Sequence, residues 1–194
     1  MAVESIYGDS LELLESKMQY LVDEIQKARE QIKETIGMDP VEHLIYRIKS
    51  EESMREKCVR KGLPQTPDSA LRVLKDAIGV RVVCAFVSDV YSIRDYLVNL
   101  PDCELVEEKD YIRNPKENGY RSYHMILMVS GSVYAEIQLR TISMDTWAAL
   151  EHHMHYKKEK TAEETLITAE LKRCADELAS TDLSMQTIRD MIRG

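Results

Sequence analysis

Two groups of residues in this sequence are spaced for chemistry. Lys49, Ser53 and Lys57 stand at i, i+4 and i+8, with Arg60 close behind and Arg47 a fraction of a turn away. On a helix they would share one face, and cations and a hydroxyl in a row suit a polyphosphate. Salt bridges to Glu51, Glu52 and Glu56 are the plainer explanation of the same lysines. The second group lies in the run Val133–Thr141, where Val133, Ala135, Ile137 and Leu139 alternate with Tyr134, Glu136, Gln138 and Arg140. A strand puts each set on its own face. If Val129 pairs with Val133 across Ser130-Gly131-Ser132, His124 faces Gln138 and is diagonal to Glu136 and Arg140. A slip of one residue would turn His124 into the apolar side, so the register that gathers the ionisable groups is expected. The result is a polar floor, which a solvent-facing sheet would also produce. Asp76 and Arg81 would be ordinary surface residues in most proteins.

The elements that must position these residues can be read coarsely. Leu11, Leu14, Met18, Leu21, Ile25, Ala28 and Ile32 recur at spacings of three and four, predicting a long amphipathic helix that Gly37 and Pro40 end. A second helix is expected over residues 41–60, stopped by Gly62 and Pro64, and a short third one over 68–77, opened by Thr66-Pro67-Asp68. Residues 80–87 read as a buried strand, followed by a helix to Asn99 capped by Ser88-Asp89. Strands over 103–110, 122–129 and 133–141 and helices over 143–158 and 162–193 complete the chain. In the last helix Leu171, Cys174 and Leu178 recur. A mixed sheet of about four to five strands flanked by helices, an α+β fold, is expected. Residues 157–164 are the nearest thing to a linker.

The composition narrows the function classes. The chain has 194 residues, 44% hydrophobic and 31% charged, with 26 Lys+Arg against 34 Asp+Glu and a net charge of -8. That is a folded protein and a poor general nucleic-acid coat. The charge is unevenly spread. Residues 1–46 carry a net -6, residues 47–81 +4, residues 82–108 -5, residues 109–124 +2 and residues 125–194 -3. The two basic islands are either solvated faces or two anionic ligand groups. No apolar run is long enough to span a membrane, and Met1–Ser10 lacks an export signal, so a cytoplasmic protein is expected. Cys58, Cys84, Cys103 and Cys174 form no Cys-x-x-Cys pair and read as reduced, mostly buried thiols.

Taken together, the motifs resemble those of the RelA/SpoT-type (p)ppGpp synthetases. They are Arg47-Ile48-Lys49-Ser50 with Ser53 and Lys57, Asp76-Ala77-Ile78-Gly79-Val80-Arg81, the stretch from Asp110 through Asn114-Pro115-Lys116-Glu117-Asn118-Gly119-Tyr120 to His124, Glu136-Ile137-Gln138-Leu139-Arg140-Thr141, and Met144-Asp145 with Trp147-Ala148, Glu151-His152 and Tyr156-Lys157. The resemblance covers roughly residues 40–160 and is specific because five separated motifs keep their order. It implies a nucleotidyltransferase-like synthetase domain at 40–160, flanked by packing or oligomerisation helices at 1–39 and 161–194. Neither the hydrolase half nor the regulatory tail of the long bifunctional enzymes is expected, so the chain looks like a small alarmone synthetase, homotetrameric by the same resemblance.

The implied reaction moves pyrophosphate from ATP to the 3′-hydroxyl of GTP or GDP, and releases AMP. By resemblance Arg47 and Arg81 sandwich adenine, Lys49, Ser53, Lys57 and Arg60 hold the ATP side, and Asp76 and Glu136 hold Mg²⁺, with Glu136 also taking the proton from the attacking hydroxyl. Tyr120 stacks on guanine, while Lys109, Lys116, Asn118, His124 and Gln138 contact phosphates and ribose. Asp145 would read the guanine edge, accepting from N1–H and the N2 amino group; a helix N-terminal charge is its plainer reading. The alternatives are a catalytically silent nucleotide- or RNA-binding regulator on the same scaffold, and a synthetase with an adenine-nucleotide acceptor. Preference among GTP, GDP and GMP, and regulation by product or a specific RNA, are not legible in the sequence.

Overall fold

The computed structural model describes residues 5–154 and 162–193. After a short 3₁₀ turn at Gly8–Ser10 come α1 (Leu11–Ile36), β1 (Val41–Ile48) and α2 (Glu51–Arg60). A π-helical turn at Ser69–Val73 leads to β2 (Ile78–Cys84), α3 (Val87–Val98) and β3 (Cys103–Asp110). The chain closes with β4 (Tyr123–Val129), β5 (Val133–Thr141), α4 (Ile142–Met154) and α5 (Ala162–Arg193). The strands form one mixed sheet in the order β1-β2-β5-β4-β3. Among the described strands β2–β5 is the parallel pair, and the other three pairings are antiparallel. An α+β architecture with a mixed sheet of about four to five strands was the expectation; five strands form, one of them, β1, where a helix was expected.

The expected helix over 41–60 is a correction. Its first half is the edge strand β1, paired antiparallel with β2 so that Ile45 faces Arg81 and Arg47 faces Gly79. No Gly or Pro separates Pro40 from Gly62, so the local sequence offers no break between strand and helix. Val41, Ile45, Tyr46 and Ile48 favour a pleated surface, but only pairing with β2 decides the matter. Ser50 ends the strand and caps α2, its hydroxyl accepting from the Ser53 backbone N–H. Lys49 therefore sits at a strand–helix junction, not in a helical row with Ser53 and Lys57. The helix expected over 68–77 shrinks to the π-helical turn at Ser69–Val73. Strand β2 begins at Ile78 and ends at Cys84, earlier than the 80–87 reading, and α3 starts at Val87 with Phe86 at its cap.

Alternation along the strands sorts the two faces of the sheet. Val80, Val82, Met125, Leu127, Ile137 and Leu139 are buried with Leu14, Leu21 and Ile25 of α1 and Ile93 and Leu97 of α3. Burial of apolar area on this face drives formation of the sheet. Gly37, at φ 72°, ends α1 by adopting the left-handed cap conformation. Cys58 and Cys84 are buried, Cys103 is half-buried and Cys174 is exposed; all four are free thiols.

Helix α5 is tied across one end of the sheet. Trp147 Nε1 of α4 donates to the Leu171 carbonyl at 2.9 Å, and Thr141 Oγ1 donates to Asp182 Oδ2 at 2.6 Å. Arg189 and Asp89 form a buried ion pair at 2.7 Å. The apolar stripe that packs inward is Leu171, Ala175 and Leu178, rather than the expected Leu171, Cys174 and Leu178, because Cys174 faces solvent. Residues beyond Met154 in the expected helix over 143–158, and most of the expected linker over 157–164, lie outside the described residues.

Gly119 sets how closely α5 approaches the β3–β4 loop. Its φ is 89°, and a Cβ there would stand 2.6 Å from Ala175 Cβ and 2.9 Å from Lys172 Cα. Gly119→Ala is expected to destabilise the protein by about 1–3 kcal/mol, since both the backbone conformation and the helix contact oppose the methyl group. For a chain of this size that is a fall in Tm of about 2–4 °C per kcal/mol. Thermal unfolding followed by circular dichroism checks it, and Ala175→Gly in the same chain should restore part of the loss. An unchanged Tm for the single variant would show that α5 does not press on the loop.

Candidate active site

The polar face of the sheet is built in rungs. Arg47, Gly79, Glu136 and Ile126 lie across one rung from β1 to β4, and Ile45, Arg81, Gln138 and His124 across the next. The expected pairing of Val129 with Val133 and of His124 with Gln138 is the observed one. A tight turn makes it possible, with Ser130 at φ 49° and Gly131 at φ 61°.

Two cavities open on this face and share the Glu136 carboxylate. The first, about 200 Å³, is walled by Arg47, Lys49, Asp76, Arg81, Glu136 and Gln138. Its floor is left open by Gly79, whose missing side chain would point into the gap; the nearest atom to a Cβ there is the Arg47 carbonyl at 3.9 Å. Sequence reasoning did not single out Gly79, although its place between Asp76 and Arg81 marked it. The second cavity, about 220 Å³, is walled by Lys75, Glu107, Lys109, His124 and Glu136 among others.

Asp76 anchors the first cavity. It is buried just ahead of β2, and its Oδ2 accepts from both Lys49 and Lys57, the latter at 2.5 Å. Two lysines on one oxygen draw the junction, α2 and the start of β2 together. The other oxygen, Oδ1, is buried with no hydrogen-bond partner among the described residues. Of the remaining expected donor-side residues, Ser53 is exposed on the first turn of α2 and does not line the cavity. Arg60 does not line this cavity either; it lines a separate surface groove with Glu52, Arg55 and Gln65.

A second network centres on Arg140, whose side chain is only 6% exposed. Its Nη1 donates to Asp145 Oδ1 at 3.0 Å, and its Nη2 donates to Tyr120 Oη at 2.8 Å and to Gln138 Oε1 at 3.1 Å. The guanidinium also lies 5.4 Å from the Tyr120 ring centroid. A guanidinium can only donate, so the Tyr120 hydroxyl accepts from Arg140 and is free to give its own proton to His124 Nε2, 2.8 Å away. In that arrangement neutral His124 carries its hydrogen on Nδ1, which faces Glu136 Oε1 at 3.6 Å. His124, followed by burial working the other way and by Lys57 and Lys49, holds the Glu136 carboxyl below the usual range. Glu136 is therefore ionised at neutral pH.

Asp145, in the first turn of α4, joins the two halves of the floor. Its Oδ1 takes Arg140 and, at 3.4 Å, Arg81, while Oδ2 lies 3.8 Å from His43 Nε2. Burial and the neighbouring Arg140 push the Arg81 pKa down. One carboxylate thus separates two guanidiniums that would otherwise repel. A guanine edge would have to meet Oδ2, since Oδ1 is engaged twice. Sequence alternation put Arg140 on the polar face but did not mark it as the centre of this network.

The β3–β4 loop supplies the remaining groups. Lys116 Nζ lies 4.7 Å from the Tyr120 ring centroid and 4.8 Å from that of Tyr111, and Asn118 Oδ1 accepts from the Tyr120 backbone N–H at 3.2 Å. Asn118 shapes the turn that presents Tyr120. Lys109 is on the wall of the second cavity, paired with Glu107 at 2.6 Å.

Residues 46–161 match the family model described as "Region found in RelA / SpoT proteins". The sequence is 38% identical to the GTP pyrophosphokinase YwaC of Bacillus subtilis over 178 residues, 88% of this chain and 81% of that protein. It is 34% identical to the GTP pyrophosphokinase YjbM of the same organism, over 79% of this chain and 74% of that one. Among solved structures, small alarmone synthetase 2 from Bacillus subtilis superposes with a TM-score of 0.74 at 36% identity, covering 92% of this chain and 97% of that one. Small alarmone synthetase 1 from the same organism, bound to its product pppGpp, gives 0.77 at 30% identity, covering 93% and 95%.

Proposed function

The chain belongs to the RelA/SpoT family, and from that premise we propose how its residues share out the work of a GTP pyrophosphokinase. The activity is (p)ppGpp synthesis, in which pyrophosphate passes from ATP to the 3′-hydroxyl of GTP or GDP and AMP is released. The observation that carries the assignment is the pair of cavities meeting at Glu136. A donor in one and an acceptor in the other would bring an electrophile and a hydroxyl to the same carboxylate.

In the donor cavity Arg47 and Arg81 are suited to flank adenine, because a planar guanidinium stacks on a base. Lys49 and Lys57, with Ser53 at the start of α2, take the phosphates; Arg60 would reach them only by leaving its groove. On the acceptor side Tyr120, fixed by its hydrogen bonds to Arg140 and His124, offers its ring to guanine in place of the Lys116 cation now 4.7 Å from its centroid. Gln138 and His124 address the ribose, Lys109 and Lys116 the phosphates, and Asn118 the presentation of Tyr120. Asp145 either meets the guanine edge through Oδ2 or acts through the arginines it holds. The acceptor 3′-oxygen bonds to the β-phosphorus of ATP as the bond from that phosphorus to the α,β-bridging oxygen breaks. The hydroxyl proton goes to Glu136, and AMP leaves with the bridging oxygen. A carboxylate ionised at neutral pH is in the form that can accept that proton.

The residues also fit Mg²⁺. Asp76 and Glu136 line one cavity, and Asp76 Oδ1 is a buried carboxylate oxygen without a hydrogen-bond partner among the described residues. Mg²⁺ commonly takes one or two carboxylates and completes its shell with phosphate oxygens and water, so two suffice. When bound, it would offset the charge of the pyrophosphoryl group in flight.

No described helix is long and apolar enough to cross a membrane, and the proposed site of action is the cytoplasm. We place the synthetase domain at residues 40–160, with 1–39 and 161–194 as flanking helical segments. Leu183, Met185, Ile188, Met191 and Ile192 of α5 are exposed, which supports association of copies into a homo-oligomer, a tetramer by analogy with the family.

The test is incubation with labelled ATP and Mg²⁺ plus GTP, GDP, GMP or AMP in turn, followed by chromatography. The expected products are AMP and a guanine nucleotide carrying a 3′-pyrophosphate. No product would support a silent regulator, and transfer to AMP alone would support an adenine acceptor.

A further inference from the structure

We propose that Lys75 is a specificity residue that binds the β- and γ-phosphates of the acceptor and sets the preference for GTP and GDP over GMP; this rests on the synthetase reading above. Three observations converge on it. Lys75 lines the second cavity, the one that shares His124 and Glu136 with the floor. Its Nζ lies 5.2 Å from the ring centroid of Tyr134, and among the described residues it has no ion pair with a carboxylate. Its backbone is left-handed, with φ 57°, in a position where Gly or Asn would be less strained.

The order of residues along β5 gives the direction of the acceptor. Arg140 and Gln138 contact or adjoin Tyr120, Glu136 follows, and Tyr134 comes one rung farther on the same face. Four residues of strand from Gln138 to Tyr134 span about 13 Å. A guanosine with its base on Tyr120 and its ribose by His124 and Gln138 would send its 5′-phosphates along the β3–β4 side of Glu136. Lys109, paired in register with His124, stands near the start of that path, and Lys75, over Tyr134, stands at its end. The cavity also presents Glu107 and Glu108, but these are paired with Lys109 and Arg94 respectively. Lys75 is left as the cation at the far wall whose charge no carboxylate of this cavity takes up by direct contact.

The backbone explains why a lysine at this position is aimed so. The Leu74 backbone N–H closes the π-helical turn on the Ser69 carbonyl at 3.0 Å. The chain must then reverse within one residue to bury Asp76, and the left-handed conformation of Lys75 makes that reversal. Its side chain emerges on the Tyr134 side, away from the Lys49–Asp76–Lys57 cluster.

The experiment compares wild type with Lys75→Asn, which tolerates the same backbone, and Lys75→Arg, which keeps the charge. GTP, GDP and GMP are each titrated by calorimetry, and synthesis is measured in parallel at saturating ATP. Lys75→Asn is expected to weaken GTP and GDP binding about tenfold or more, the usual size of a lost charge-assisted contact, and GMP less than about twofold. Its ATP KM should be unchanged, and Lys75→Arg should retain most of the discrimination. Equal weakening of all three nucleotides, or no change in any, overturns the assignment. A wild type that binds these nucleotides but makes no alarmone refutes the synthetase reading instead, and the binding ratios still judge Lys75.

Discussion

Glu136→Gln is expected to lower kcat by roughly 10²–10⁴-fold, the range for loss of a positioned general base. The amide keeps the size and most hydrogen-bonding geometry of the carboxylate, so the floor formed by His124, Gln138 and Arg140 should persist and both nucleotides should still bind. Single-turnover rates and equilibrium binding separate the two effects. Full activity in the variant would remove Glu136 from the reaction. The pH profile is a second check. His124, aided by Lys57 and Lys49, holds the Glu136 carboxyl below the usual range. The base then stays ionised as pH falls through neutrality, and the acid limb of kcat/KM that belongs to it should lie below the ordinary glutamate value. An acid limb near pH 6–7 that disappears in Glu136→Gln would contradict this.

Asp76→Asn should be nearly as damaging, by a different route. The wild-type carboxylate is shared between Lys49 and Lys57 and keeps Oδ1 buried with no hydrogen-bond partner among the described residues. Removing its charge leaves two lysine charges uncompensated, charges that ATP phosphates can neutralise. Binding of ATP without Mg²⁺ is therefore expected to be kept or strengthened, while turnover falls on the order of 10³-fold through loss of several kcal/mol of charge stabilisation. The dependence of rate on Mg²⁺ should also become shallow. ATP titrations with and without Mg²⁺, set beside kcat, distinguish this from simple unfolding. Weakened metal-free ATP binding in a folded variant would show that Asp76 serves the lysines rather than a cation.

The two sides of the site were unequally legible. The acceptor floor could be read because the Val133–Leu139 alternation assigns each side chain a face, and the three-residue connection then fixes the partner strand. His124 and Gln138 meet where that logic puts them. The donor side was read through a wrong element. Lys49 and Lys57 do converge, but on Asp76 across a strand–helix junction, not along one helix. An edge strand with one paired neighbour is exposed along much of its length, so β1 carries little of the alternation that marks a buried strand. Arg60 does lie on α2 with Ser53 and Lys57, and it lines a separate surface groove with Glu52 and Arg55.

By itself the sequence determined the α+β class, the hairpin register, the polar face of β5 and the two basic islands, because all four follow from local periodicity or from side-chain type. Only the tertiary structure decided that β1 is a strand, that Arg140 and Asp145 link Arg81 to Tyr120, that Gly79 opens the floor and that Lys75 reaches the second cavity. Those depend on contacts between residues far apart in the chain. A buried guanidinium finds its partners, and a missing Cβ leaves its gap, only after the sheet has brought the strands together.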